Sequence, residues 1–454
     1  LIDSSRRDDF ESFLKIYGFN LGSEERVFYI NKLSTIITKE IIEHGIESLF
    51  EDVEMPLSII LTEMENEGVN IDTKLLDDIY KQFDNSLKKL QSEIFSFSGE
   101  EFNLASPKQL GEILFDKLKI ESKAKKTKTG QYSTSEETLS KLSEKHKIVE
   151  KILKWRSLQK LITTYVTALP KQINSETKRI HTIFNQTLTS TGRLSSLNPN
   201  LQNIPIRTEN GKLIRKAFTP RDDKHILVSA DYSQIELRVI ASMSNDKSMI
   251  DAFNNDEDIH TATAANVFGI KLKNVTPEQR SHAKVVNFGI IYGVSAFGLS
   301  NQTKLSRSES KEIIENYYKS YPKLKDFTQD QIEFARENGY VKTILGRKRF
   351  LNDINSRNAI LRSSAERNAI NTPVQGSAAD IIKIAMVKIN NEFQNQSIKS
   401  KLILQVHDEL IFDCLKDELN IVKEIISSSM QSAYKLKVPL KVDIGLGNNW
   451  LEAH

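Results

Sequence analysis

The chain has 454 residues, 39% of them hydrophobic and 27% charged, with a formal net charge of +3. That length exceeds what one hydrophobic core serves, so several subdomains are expected, and the composition is that of a globular chain. No apolar run reaches membrane-spanning length, the first residues carry no signal-peptide stretch, and the lone Cys414 excludes an intrachain disulfide framework or a cysteine-built zinc site. A soluble, cytoplasmic protein without membrane contact is the expectation. So small a net charge neither requires nor excludes nucleic acid, because phosphate binding needs local positive charge.

In residues 75–95, Leu76, Ile79, Phe83, Leu87, Leu90 and Ile94 recur every three or four positions and predict one face of a long amphipathic helix. Ser106-Pro107 reads as a helix start. Lys123, Lys125, Lys126 and Lys128 precede Thr129-Gly130, and alone such a run is a solvated loop. Residues 136–169 predict further helix, broken near His146 and stopped by Pro170. The Ser-, Thr-, Asn- and Pro-rich residues 189–207 predict an extended, loop-like segment. A short apolar run, residues 225–231, suits a buried strand, and residues 248–346 return to helix. Residues 402–406 and 410–412 flank His407-Asp408-Glu409 and predict a β-hairpin. The fold class is therefore α+β, with the strands gathered in one region.

Two carboxylates, Asp231 and Asp408, stand at the tips of these short apolar strands. Carboxylates held rigidly on strands can bridge two divalent metals about 3.5–4 Å apart, and hard oxygen donors suit Mg²⁺. Such a site supports in-line phosphoryl transfer. Taken singly, an Asp at a strand end more commonly caps a turn. Arg280, Lys284, Phe288 and Tyr292 follow at four-residue steps. Each step advances only about 40° beyond a full turn, so two cations and two aromatics share one broad helix face. Cations near a helix N-terminus can hold a triphosphate, and an aromatic can stack on a base. The plainer alternative, cations outside and aromatics in the core, accounts poorly for a shared face.

Together these residues resemble the three polymerase motifs of the family A DNA polymerases, of the bacterial polymerase I type. The first is Asp231-Tyr232-Ser233-Gln234-Ile235-Glu236-Leu237-Arg238, and the second runs from Arg280 through Lys284 and Phe288 to Tyr292-Gly293. The third is Gln405-Val406-His407-Asp408-Glu409. The resemblance extends through Thr191-Gly192-Arg193, Pro199-Asn200-Leu201-Gln202-Asn203, Leu345-Gly346-Arg347 and Asn371-Thr372-Pro373-Val374-Gln375-Gly376, over roughly residues 55–454.

The resemblance implies a right-hand fold with a helical thumb (residues 55–178), an antiparallel β palm (179–247 and 355–454) and helical fingers (248–354). It implies DNA-templated extension of a primer 3′-hydroxyl by dNTPs with two Mg²⁺ ions, in repair and replication gap filling, by a monomer associated with the nucleoid or, alternatively, located in an organelle. Asp231, Asp408 and the carbonyl of Tyr232 would be metal ligands, with Glu409 a supporting carboxylate. Arg280, Lys284, His260 and Gln234 would contact the triphosphate, Lys284 also serving as general acid toward pyrophosphate. Glu236 would be the steric gate against a ribose 2′-hydroxyl, the plain alternative being a helix carboxylate paired to Arg238. Phe288, standing where a Tyr would favour dideoxynucleotides, implies poor acceptance of them, and Tyr292 would close over the template base. Arg193, Asn200, Gln202, Arg207, Arg367, Asn371, Gln375, Gln405 and His407 would line the duplex, while Lys125 and Lys126 would grip phosphate at the thumb tip.

Only about fifty residues precede Met55, too few to bury a proofreading exonuclease domain, so residues 1–54 read as a remnant and linker and proofreading is expected to be absent. Asp52-Val53-Glu54 mimics an exonuclease motif by coincidence, and Tyr29-Ile30-Asn31-Lys32-Leu33-Ser34-Thr35 resembles another of the family's exonuclease motifs, the resemblance implying Thr35 in place of a metal-binding Asp.

Overall fold

The computed structural model describes residues 2, 9–20, 26–206, 208–303 and 305–454. The chain falls into two compact units, one of residues 1–67, 183–197 and 228–445, the other of residues 68–182, 198–227 and 446–454.

In the second of these units, the apolar spacing of residues 75–95 folds as the helix Thr73–Ser98. Asp72 caps it by accepting from the Leu75 N–H at 3.0 Å, and Gly99 ends it at φ 73°, a left-handed conformation that costs glycine least. Its buried face is Leu76, Ile79, Phe83, Leu87 and Ile94, packed against the helix Lys147–Leu161. The predicted break at His146 is that helix's N-cap, and Pro170 opens a short 3₁₀ turn, Pro170–Gln172, where the sequence predicts only a stop. Proline's missing N–H is harmless at such a start. Residues 446–454 close this unit: Trp450 is wholly buried, edge-on to Phe218 with ring centroids 5.4 Å apart and beneath the Arg215 guanidinium at 4.0 Å.

The other unit holds most of a four-stranded sheet in the order Val442–Gly447, His225–Tyr232, Glu409–Leu415, Lys401–Val406. The predicted hairpin is present, antiparallel, with Val406 opposite Glu409 and Leu404 opposite Ile411. Leu227, Val228, Ala230, Leu410, Ile411 and Phe412 are each no more than 1% exposed, which explains why these strands read as near-continuous apolar runs. The helices Leu419–Gln431 and Met55–Glu67 both pack on the 37-residue helix Ala359–Asn395, which contains Pro373. Ser377 ties this helix to the segment before it: its hydroxyl donates to the Pro373 carbonyl and accepts from the Ile344 N–H. A separate helical layer is formed by Ile259–Phe268, Pro277–Ile291 and Arg307–Ser320.

The same unit buries four charges together. Glu54 Oε1 accepts from Lys383 at 2.6 Å and from Arg347, which also binds Asp380 at 2.7 Å. The Glu54 carboxylate, which completes the exonuclease-like triplet, is thus committed to structural ion pairs and to Gln186.

Candidate active site

Asp231 is the penultimate residue of the strand His225–Tyr232, and Asp408 lies in the two-residue turn of the hairpin. The Tyr232 N–H donates to the Asp408 carbonyl at 3.2 Å, so the two carboxylate-bearing backbones are directly joined. Tyr232 anchors the strand end from below, its buried hydroxyl donating to the Met430 carbonyl at 2.7 Å, and burial pushes that phenol far up. Two non-glycine residues beside the carboxylates hold left-handed backbone, His407 at φ 58° and Gln234 at φ 57°. Each conformation costs about 1 kcal/mol or more and persists where the surroundings over-determine it. At the turn, the Gln405 amide donates to the His407 carbonyl, so this predicted DNA contact braces the hairpin.

Glu409, expected as a supporting carboxylate, follows Asp408 and opens the strand Glu409–Leu415. Its buried carboxylate accepts from the Ser229 hydroxyl at 2.6 Å, and among the described residues no group of three His, Cys, Asp or Glu is gathered for a metal. The donors at hand are two carboxylates and the Tyr232 carbonyl, an all-oxygen set of the kind Mg²⁺ takes while keeping water or phosphate in its other positions.

The cation and aromatic ladder lies on the helix Pro277–Ile291, started by Pro277 and a capping box between Thr276 and Gln279. Arg280 and Lys284 are exposed, Phe288 is half-buried, and Tyr292, the C-cap, is 42% exposed. The buried stripe of the helix is instead Ala283, Val286, Asn287 and Ile290, so the ladder is a surface face and not the core. Arg280 is held by Asp258 through both oxygens, at 3.0 and 2.7 Å. Burial raises the Asp258 carboxyl, but hydrogen bonds from Arg280 and Thr261 outweigh it and hold the group well below the usual carboxylate range. His260 is 3% exposed beside Phe288, with Asn287 Nδ2 at 3.0 Å from its Nδ1. Burial, together with the Arg280 and Lys284 charges, outweighs the pull of Asp258 and pushes the imidazole down to about 4.

Glu236 is buried and clamped: Arg193 donates to Oε1 at 2.6 Å and Tyr292 to Oε2 at 3.0 Å. Burial and this carboxylate push the Tyr292 phenol up to about 12. The pairing of Glu236 with Arg238 that the sequence offers as the plain alternative is not formed. Residues two apart on a helix face different ways, and Arg238 instead donates to the carbonyls of Ser233 and Pro439 and lies over the Phe253 ring.

The Arg193 loop rests on the buried ion cluster. Gly192, at φ 81°, lies so close to Arg347 that a Cβ there would meet its Nε at 2.5 Å. Gly293 is pressed in the same way against Arg367, whose guanidinium donates to Ser363. Asn371 and Gln375 are half-buried on the helix Ala359–Asn395, and Asn371 Oδ1 is enclosed with no hydrogen-bond partner. Enclosed acceptors of this kind are costly unless a ligand or water satisfies them.

Asn200, Gln202, Lys125 and Lys126 belong to the other unit. There Asn200 caps the short turn Leu201–Asn203 through the Gln202 N–H, and Lys125 and Lys126 are exposed, Lys126 lying over the Tyr132 ring at 4.8 Å. Arg207 lies outside the described residues.

Sequence reasoning passed over Ser229, Asp258 as the partner of Arg280, and Asn287. Only Asn287 had a visible signal, a polar residue interrupting the apolar stripe Ala283, Val286, Ile290.

The model of DNA polymerase family A matches residues 73–452. The chain is 50% identical over 404 residues to DNA polymerase I of Caldicellulosiruptor bescii, covering 89% of this chain and 47% of that one. Against DNA polymerase I of Bacillus subtilis it is 43% identical over 470 residues, covering 98% and 53%. The chain thus spans about half the length of these relatives. Among solved structures, the POL domain of Pol1 from M. smegmatis, in complex with DNA primer-template and dNTP, superposes with a TM-score of 0.94 at 38% identity, over 100% of this chain and 80% of that one. With the family model matched over residues 73–452, the chain belongs to DNA polymerase family A.

Proposed function

We propose that the chain extends a primer 3′-hydroxyl with dNTPs on a DNA template, releasing pyrophosphate, in gap filling during repair and replication. The observation that carries this reading is the backbone hydrogen bond that joins the Asp231 strand to the Asp408 turn within one unit that also holds Arg280, Lys284 and His260. Asp231, Asp408 and the Tyr232 carbonyl would hold Mg²⁺, which when bound supplies activation of the primer hydroxyl and stabilisation of the leaving pyrophosphate. Arg280 and Lys284 bind the triphosphate electrostatically, Lys284 supplying a proton to pyrophosphate, and His260 and Gln234 add hydrogen bonds. Glu236, held by Arg193 and Tyr292, fills the space that a 2′-hydroxyl would need. Arg193, Arg367, Asn371, Gln375 and His407 bear on the minor groove and backbone, which report base-pair shape more than sequence. Thumb, palm and fingers are assigned to residues 55–178, to 179–247 with 355–454, and to 248–354. The chain acts as a cytoplasmic monomer and does not itself excise mismatched termini.

The test is primer extension with Mg²⁺ and dNTPs, alongside NTPs, single-mismatch primers and the Asp231→Ala and Asp408→Ala proteins. Extension by dNTPs alone, reduced about a thousandfold or more in either variant, is expected. Tight primer-template binding without extension would overturn the reading, as would RNA synthesis from NTPs without a primer. Excision of the mismatched terminus would overturn the absence of proofreading.

A further inference from the structure

A chain of buried polar groups runs through the three helices behind Phe288. Thr263 Oγ1 and the Tyr321 hydroxyl are 3.1 Å apart, and Thr263 and Tyr317 both donate to Asn287 Oδ1, at 3.1 and 3.0 Å. Every member is buried, Asn287 and Thr263 completely. With two hydroxyls on its carbonyl oxygen, Asn287 has its Nδ2 facing His260, and Nδ2 can only donate. The imidazole nitrogen Nδ1 is therefore an acceptor, and a neutral imidazole that accepts at Nδ1 carries its proton on Nε2.

We propose that Asn287 is a positioning residue that locks His260 as the neutral Nε2–H tautomer, so that His260 offers the incoming triphosphate one uncharged, directed hydrogen bond beside the cations Arg280 and Lys284. This rests on the assignment of His260 as a nucleotide contact made above. The depressed imidazole pKa agrees with it, since His260 stays uncharged at neutral pH. A donor of fixed direction rewards a correctly placed phosphate without adding a third charge to retain the pyrophosphate product.

The tautomer is read directly by long-range ¹H–¹⁵N correlation on the full chain labelled at histidine, with the His260 signal identified by its loss in His260→Gln. Protonated Nε2 and unprotonated Nδ1 are expected at neutral pH; protonated Nδ1, or an imidazolium, overturns the proposal. Asn287→Asp keeps the shape and still accepts from both hydroxyls, but its carboxylate demands a proton on Nδ1, so it should invert the pattern. In single-turnover kinetics, Asn287→Ala and Asn287→Asp should each weaken dNTP binding by about tenfold. That effect should vanish when either is combined with His260→Ala. A loss that persists undiminished in the His260→Ala background marks Asn287 as merely structural and overturns the proposal alone. A His260→Ala protein with unchanged dNTP affinity overturns the nucleotide-contact assignment, and the proposal with it.

Discussion

Asp258 competes for the guanidinium that a triphosphate would use. It binds Arg280 through both oxygens and also caps the helix Ile259–Phe268. Asparagine caps a helix as well as aspartate does, so Asp258→Asn removes the charge and leaves the helix intact. We expect its dNTP dissociation constant to fall about three- to tenfold in pre-steady-state titrations; a rise would mean that Asp258 aims Arg280 instead of restraining it. Glu236 gives a second prediction at this scale. Glu236→Ala should raise NTP incorporation relative to dNTP by about a hundredfold or more in competitive extension assays, at some cost in dNTP turnover because Arg193 and Tyr292 lose their shared acceptor. His260 gives a pH dependence whose neighbours are Asp258, Arg280 and Lys284. Its folded pKa, about 4, lies below the ordinary 6.5. The unfolded chain therefore takes up a proton first as pH falls, and this group subtracts stability progressively between about 6.5 and 4. Urea midpoints at pH 7 and pH 5 should accordingly converge in His260→Asn relative to the parent, and an unchanged difference would contradict the assignment.

At the scale of elements, the four buried charges around Glu54 make the support for the Arg193 loop sensitive to single changes. Removing one partner from such a group strands the others without solvation, and Glu54→Ala should cost about 3–5 kcal/mol in denaturant unfolding. A loss below about 1 kcal/mol would mean that Arg347 and Lys383 find other partners. The elements themselves were legible: periodicity placed the helix Thr73–Ser98, and the apolar runs placed both the Asp231 strand and the Asp408 hairpin. Long-range side-chain partnerships were not. Glu54 meets Arg347 across 293 positions, and Ser229 meets Glu409 across 180, with no local signature of either. Where a local guess was available, between Glu236 and Arg238, helical geometry ruled it out. The ladder from Arg280 to Tyr292 was readable because its whole logic lies within one helix.

For the molecule as a whole, a net charge of only +3 makes any DNA affinity a matter of where cations stand. Lys125 and Lys126 are exposed at the base of a loop closed by the Lys126–Tyr132 bridge. If each neutralises one phosphate, replacing both with alanine should reduce the slope of log affinity against log salt for primer-template by about 1.8. Binding measured between 50 and 200 mM salt would show this, and an unaltered slope would return the cluster to a solvated loop.

The packing of Trp450 against Phe218 has a consequence for biosynthesis. The two rings meet in one unit, yet the entire sheet-bearing stretch is translated between them. While the ribosome is still making the strands, the emerging polypeptide carries Phe218 without its indole cover. The nascent chain must therefore pass through a stage with adhesive surface exposed, when a holding chaperone is of most use and a stalled product is most prone to aggregate.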